Sequence, residues 1–195
     1  MDGTPFAAAS PFDHAEADVR ATDFRADLRV REIPAPTGLA PQALALAADV
    51  RPDGDDEESR YGTGRFVLLY DPEEPTPWNG PWRVISFAQA PLEREIGSDP
   101  LVADVAWSWL IDALDSRGAV YHSASGTATT TLSKGFGGLA DEGDGAQVEL
   151  RASWSPTGRL GAHVEAWAEL VCMFAGLPPG SDGAPVLHRN GASGG

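Results

Sequence analysis

The chain has a single cysteine and a single lysine, and no apolar run approaches the ~20 residues that span a bilayer. One cysteine, Cys172, excludes an internal disulfide and a cysteine-rich zinc site. No activating base is recognisable near it, so it reads as a small filler residue on a helix. Cations are scarce: 14 Lys and Arg face 29 Asp and Glu, giving a net charge of −15 and a pI near 4.4. Nucleic-acid binding draws its affinity from neutralising phosphates, so this balance argues against autonomous DNA or RNA binding. It also disfavours docking on anionic membranes, and favours solubility, basic partners or cations. The N-terminal residues 1–18 carry acids where a signal peptide needs a basic region, so a cytoplasmic location is expected.

Motifs of known chemistry are equally thin. No histidine pair has metal-ligand spacing: His14 and His188 fall near the ends, and His122 and His163 lie far apart in sequence. The acidic stretch 52–59 lacks the fixed ligand positions of an EF-hand and reads as a solvated hairpin tip. Ser133-Lys134-Gly135-Phe136-Gly137-Gly138 offers backbone N–H groups and Lys134 to an anion. It does not have P-loop spacing, and a flexible turn is the simpler reading. No Gly-x-Ser-x-Gly elbow is present, and Gly62-Thr63-Gly64 precedes a strand where a dinucleotide fingerprint precedes a helix. No cofactor, metal or catalytic residue is expected.

What is present is periodic. Leu28 to Arg31, Leu44 to Val50, Trp82 to Ala90 and Gln147 to Trp154 read as strands, the last placing Val148, Leu150, Ala152 and Trp154 inward. Phe66 to Tyr70 is a continuous apolar run, which predicts a central strand covered on both faces. Val120 to Leu132, rich in Thr and Ser, predicts a long strand with Thr127, Thr129 and Thr131 on one face. Asp99-Pro100 caps a helix over 101–115 that Gly118 ends. Asp104, Ser108, Asp112 and Asp115 fall in one narrow wedge of it, with a largely apolar circumference otherwise. Such a helix is either sandwiched between layers or half of an interface. The wedge itself reads as a solvated face, since Asp104 and Asp112 stand ~12 Å apart, too far to share an ion.

A second helix over 160–175 buries Val164, Trp167, Val171 and Phe174, and a short N-terminal helix is expected near 11–24. The order predicts an α+β fold: an antiparallel sheet of about six strands with two main helices on one face, plus the N-terminal helix. The expected division is an N-terminal segment 1–26, a domain 27–179 and a disordered Gly-rich tail 180–195.

The six tryptophans are the most unusual content. Trp107 and Trp109 lie 200° apart on their helix, so one is expected to face the sheet and the other a groove or partner. Trp78, Trp82, Trp107, Trp109 and Trp154, with Arg151 and His163, make up the expected ligand or partner surface.

Several separated phrases also occur together: Glu32-Ile33-Pro34-Ala35-Pro36, Gly64 to Pro72, Asp99-Pro100-Leu101 through Trp107-Ser108-Trp109-Leu110, Phe136-Gly137-Gly138-Leu139, Arg151-Ala152-Ser153-Trp154 and Ala166-Trp167 to Leu177-Pro178-Pro179. In this order they resemble the actinobacterial family of unknown function DUF3000 over about residues 27–179. The resemblance brings no activity, cofactor or catalytic residue. It implies a gene commonly beside one for a ribonuclease D-like exonuclease with an HRDC domain, an association at the level of the genome. The expected function is therefore that of a non-catalytic acidic protein acting by protein–protein contact, with a basic nucleic-acid enzyme as partner class. The alternative is a small-molecule binder or small enzyme with a Trp-lined pocket.

Overall fold

A computed structural model of the chain describes residues 9–51, 61–140 and 145–178. The acidic stretch at 53–58, His188 and the tail 180–195 lie outside the described residues. The elements run α1 (Pro11–Arg20), β1 (Leu28–Ile33), β2 (Gln42–Val50), β3 (Thr63–Tyr70), β4 (Trp82–Leu92), α2 (Arg94–Gly97), α3 (Val102–Ser116), β5 (Val120–Ser133), β6 (Gly145–Thr157) and α4 (Leu160–Phe174). The six strands form one antiparallel sheet in the order β1-β2-β3-β4-β6-β5. This is the expected α+β architecture.

Period-two alternation sets which side of the sheet is dry. Leu44, Leu46, Ala48 and Val50 on β2, Phe66 and Leu68 on β3, and Val148, Leu150, Ala152 and Trp154 on β6 point to one buried side. α4 lies across that side and is apolar around nearly its whole circumference, because the sheet, α1 and α3 all pack on it. Its close seat on β3 depends on Gly64. A Cβ there would stand 2.4 Å from Val171 Cγ2 and 3.0 Å from Trp167 Nε1. Trp167 uses this space to reach over the strand and donate to the Phe87 carbonyl at 3.3 Å.

α1 is part of the same core, so the boundary expected at residue 27 divides segments that pack together. Ser10 and Asp13 cap it reciprocally, with Ser10 N donating to Asp13 Oδ2 at 2.7 Å and Asp13 N to Ser10 Oγ at 3.1 Å. Phe12, Ala15 and Val19 are buried.

Three expectations need correction. The helix expected from Leu101 begins at Val102, because Asp99 Oδ1 accepts from Leu101 N at 2.9 Å and holds a turn before it. α3 is not sandwiched: it lies in the outer layer on β5 and beside α4, and its wedge of Asp104, Ser108, Asp112 and Asp115 faces solvent. β3 is only partly covered on its second face: Leu69 there is 2% exposed and Val67 half-buried, but Arg65 is exposed and every described main helix lies on the other side. Among the described residues no helix lies on that second face of the sheet, where Ala45, Ala47 and Leu69 are nevertheless buried.

Candidate functional site

That face, uncovered at Arg31, Arg65, Ile85 and Arg151 but closed at Ala45, Ala47 and Leu69, is the candidate site, and strand register assembles it. Arg31, Ala47, Arg65, Phe87, Arg151 and Thr127 are successive cross-strand neighbours, from β1 at one edge to β5 at the other. The three arginines alternate with Ala47 and Phe87, so each stands two strands from the next, about 9.6 Å. The adjacent row is Ile33, Ala45, Val67, Ile85, Ser153 and Ser125, apolar through its first four members. Ile85 is 38% exposed in the middle of it. Arg29 and Arg83 flank these rows. Among the described residues five arginines therefore share a face with two carboxylates, Asp49 and Glu149, on a chain whose net charge is −15.

The two carboxylates are engaged. Asp49 pairs with Arg31, and Glu149 Oε1 accepts from Arg151 Nε at 2.6 Å. The Arg151 guanidinium also lies over the Phe87 ring, 5.8 Å from its centroid. Arg65 makes no ion pair among the described residues. Beside it, Arg29, Arg31, Arg51 and Arg65 line a depression of about 460 Å³ with Asp49 and Thr63.

Arg83 is held by neutral oxygens. Its Nη1 donates to the Ser123 carbonyl at 3.0 Å and Ser155 Oγ at 3.2 Å, and its Nη2 donates to Ser153 Oγ at 2.6 Å. Burial pushes its pKa downward. Ser123 sits at φ +54° inside the bulge between His122 and Ser125 of β5, so Arg83 clamps the one irregular stretch of that strand. Arg83→Met should cost about 1–3 kcal/mol, because Ser123 and Ser153 lose their donor. Urea denaturation measures the loss, and hydrogen exchange should speed first at residues 120–125.

The expected site residues disperse. Trp154 and His163, expected on a surface, are fully enclosed: Trp154 Nε1 donates to His163 Nδ1 at 3.0 Å. Trp82 packs between Phe12 and Tyr70, at ring separations of 6.3 and 4.4 Å. It forms one wall of a cleft of about 230 Å³ beside α1. Trp107 lies on Gly126 of β5, where a Cβ would come 2.7 Å from its ring. Trp109 turns to α4, edge-on to Phe174 at 6.0 Å, where a groove or partner was expected. Trp78 is half-buried in the 71–81 connection, and its carbonyl accepts from Ser155 Oγ at 2.5 Å. The tryptophans thus do not converge on one cavity. Of the expected set only Arg151 lies on the uncovered face. Arg29, Arg31, Arg65 and Arg83 were not foreseen there, although each occupies an outward position of its strand.

Cys172 is 1% exposed and burial raises its thiol pKa to about 11, which leaves it unreactive. Among the described residues no three of His, Cys, Asp and Glu gather as a metal would need, and no helix is long and apolar enough to cross a membrane.

Nothing among curated proteins or solved structures matches the chain. The sequence profile of a family described as "Protein of unknown function (DUF3000)" matches residues 8–183, which takes in α1 as well as every later element. The chain belongs to the DUF3000 family.

Proposed function

We propose that the protein is a non-catalytic binding module whose uncovered sheet face receives an acidic amphipathic helix of a partner protein. The observation that carries this reading is the arginine row Arg31, Arg65 and Arg151 running beside the apolar row Ile33, Ala45, Val67 and Ile85. A helix laid across the strands repeats a residue on the same side every seven positions, about 10.5 Å. That matches the roughly 9.6 Å between alternate strands, so acids at i, i+7 and i+14 meet the three arginines. An apolar stripe on the same helix covers Val67, Ile85 and Phe87. The partner packs on the part of this face where Arg65, Ile85 and Arg151 stand exposed.

Charge segregation supports the choice of an acidic partner. The net charge of −15 taken alone points to a basic partner, but among the described residues arginines outnumber carboxylates on this face. The remaining acids give solubility and repel anionic competitors.

The test is affinity capture from the source organism with three tagged chains: wild type, the face variant Arg65→Glu with Val67→Asp, and the helix-layer variant Asp104→Lys with Asp112→Lys. One stoichiometric partner carrying an acidic amphipathic helix should be retained by wild type and by the helix-layer variant. Its affinity for the face variant should fall roughly tenfold or more. Undiminished binding to the face variant, or loss with the helix-layer variant alone, would overturn the reading.

A further inference from the structure

The two edges of the sheet are treated very differently by the sequence. β1, at one edge, carries Arg29, Arg31 and Glu32 and is followed by Pro34 and Pro36, the usual means of blocking strand addition. β5, at the other edge, has 14 residues without one Asp, Glu, Lys, Arg or Pro. Its only irregularity is the bulge between His122 and Ser125, which leaves Ser125–Ser133 as nine regular residues paired to β6. Among the described residues no backbone group outside the sheet bonds to this stretch. A long, uncharged edge strand offers a row of N–H and C=O groups as a template for another strand.

We propose that this edge pairs with the same edge of a second copy, antiparallel, about a two-fold axis through Thr129. Thr129 is the midpoint of the nine regular residues, so this register uses all of them. Ser125 then faces the other copy's Ser133, Thr127 its Thr131, Ala128 its Thr130 and Gly126 its Leu132. Every pair joins residues of one face, as an antiparallel ladder requires.

The register also solves a packing problem on the helix-bearing side. Leu132 is 52% exposed, and Gly126 is the position over which half-buried Trp107 lies. Pairing Leu132 with Gly126 of the other copy sets the exposed leucine against that copy's Trp107, twice by symmetry. On the opposite side, Thr127, Thr129 and Thr131 of the two copies form one hydroxyl ladder. No charge is brought into the seam, so the −15 of each chain acts only at a distance where salt screens it. The product is one twelve-stranded sheet with both arginine faces on the same side. The pairing does not depend on the acidic-helix reading, since it uses a different surface.

The test is the mass of the full chain in solution, by sedimentation equilibrium, for wild type, Thr129→Lys and Thr129→Glu. Thr129 is exposed and outward-facing, so neither change disturbs the monomer's core, and circular dichroism should match wild type. In the dimer the two substituted side chains meet across the axis about 5 Å apart, where like charges repel. Wild type should be a dimer, each variant alone a monomer, and an equimolar mixture of the two a dimer again. A wild type that stays monomeric up to about 100 µM overturns the proposal. So does a dimer that survives in both variants, or a mixture that stays monomeric.

Discussion

Gly64→Ala should destabilise the protein by about 2–3 kcal/mol, even though removing a strand glycine ordinarily helps. The added methyl would lie 2.4 Å from Val171 Cγ2, well inside van der Waals contact, with Trp167 Nε1 at 3.0 Å on the other side. Neither neighbour can retreat. Val171 and Trp167 are both fully buried on α4, and Trp167 is tied to the Phe87 carbonyl. The helix must therefore rise off β3, loosening the layer that covers β2 to β4. For a chain of this size the melting temperature should fall by roughly 4–12 °C. Adding Val171→Ala to Gly64→Ala removes the clashing methyl. The double variant should then be more stable than the sum of the two single effects by about 1–2 kcal/mol. Additive losses in urea denaturation would show that Gly64 is not the contact that seats α4.

The second large effect is acid sensitivity through His163. Its Nδ1 accepts from Trp154 Nε1, so the neutral ring carries its proton on Nε2. That nitrogen makes no well-formed hydrogen bond, although the Thr157 and Val120 carbonyls lie close enough to the ring to act on it. Burial lowers its pKa to about 4. The Thr157 and Val120 carbonyls and Asp18 oppose this, and Arg159 adds to it. The unfolded chain protonates this histidine near 6.5, above the folded value, so the unfolded state binds the extra proton between those two pH values. Stability is then full above pH 6.5 and is lost progressively as pH falls towards 4, by about 3 kcal/mol in total. Replacing the imidazole by an amide, His163→Gln, keeps an acceptor for Trp154 but removes the titration. Carboxylates are common to both proteins, so the difference between their urea midpoints from pH 7.5 to pH 4 isolates the histidine. Parallel curves for the two would mean that His163 is solvated or charged in the folded state.

The layout of the fold was legible wherever local pattern and tertiary environment agree. The alternation Gln147 to Trp154 specifies β6 and its dry side, and the apolar run from Leu160 specifies α4. α2, with four residues, offers too little periodicity to be read. The uncovered face is a different matter. Outward positions such as Arg65 and Arg151 can be assigned strand by strand, but their alignment in one row requires the pairing of five strands spread from Arg31 to Arg151. That register is set by the fold as a whole. The tryptophans misled for a related reason: Trp109 could be placed on a helix face, but not the Phe174 ring that receives it. Trp154 and His163 meet across the turn between β6 and α4, a contact that neither element's period contains.

The central claim is that the uncovered face, and not the helix layer, is the working surface. The most direct measurement places a photo-crosslinking amino acid at Ile85, at the centre of that face, and in a second protein at Asp112 on α3, both expressed in the source organism. Irradiation should give one discrete adduct at position 85, with an acidic helical segment at the attachment site, and only background at position 112. A discrete adduct at 112 with none at 85 would contradict the account.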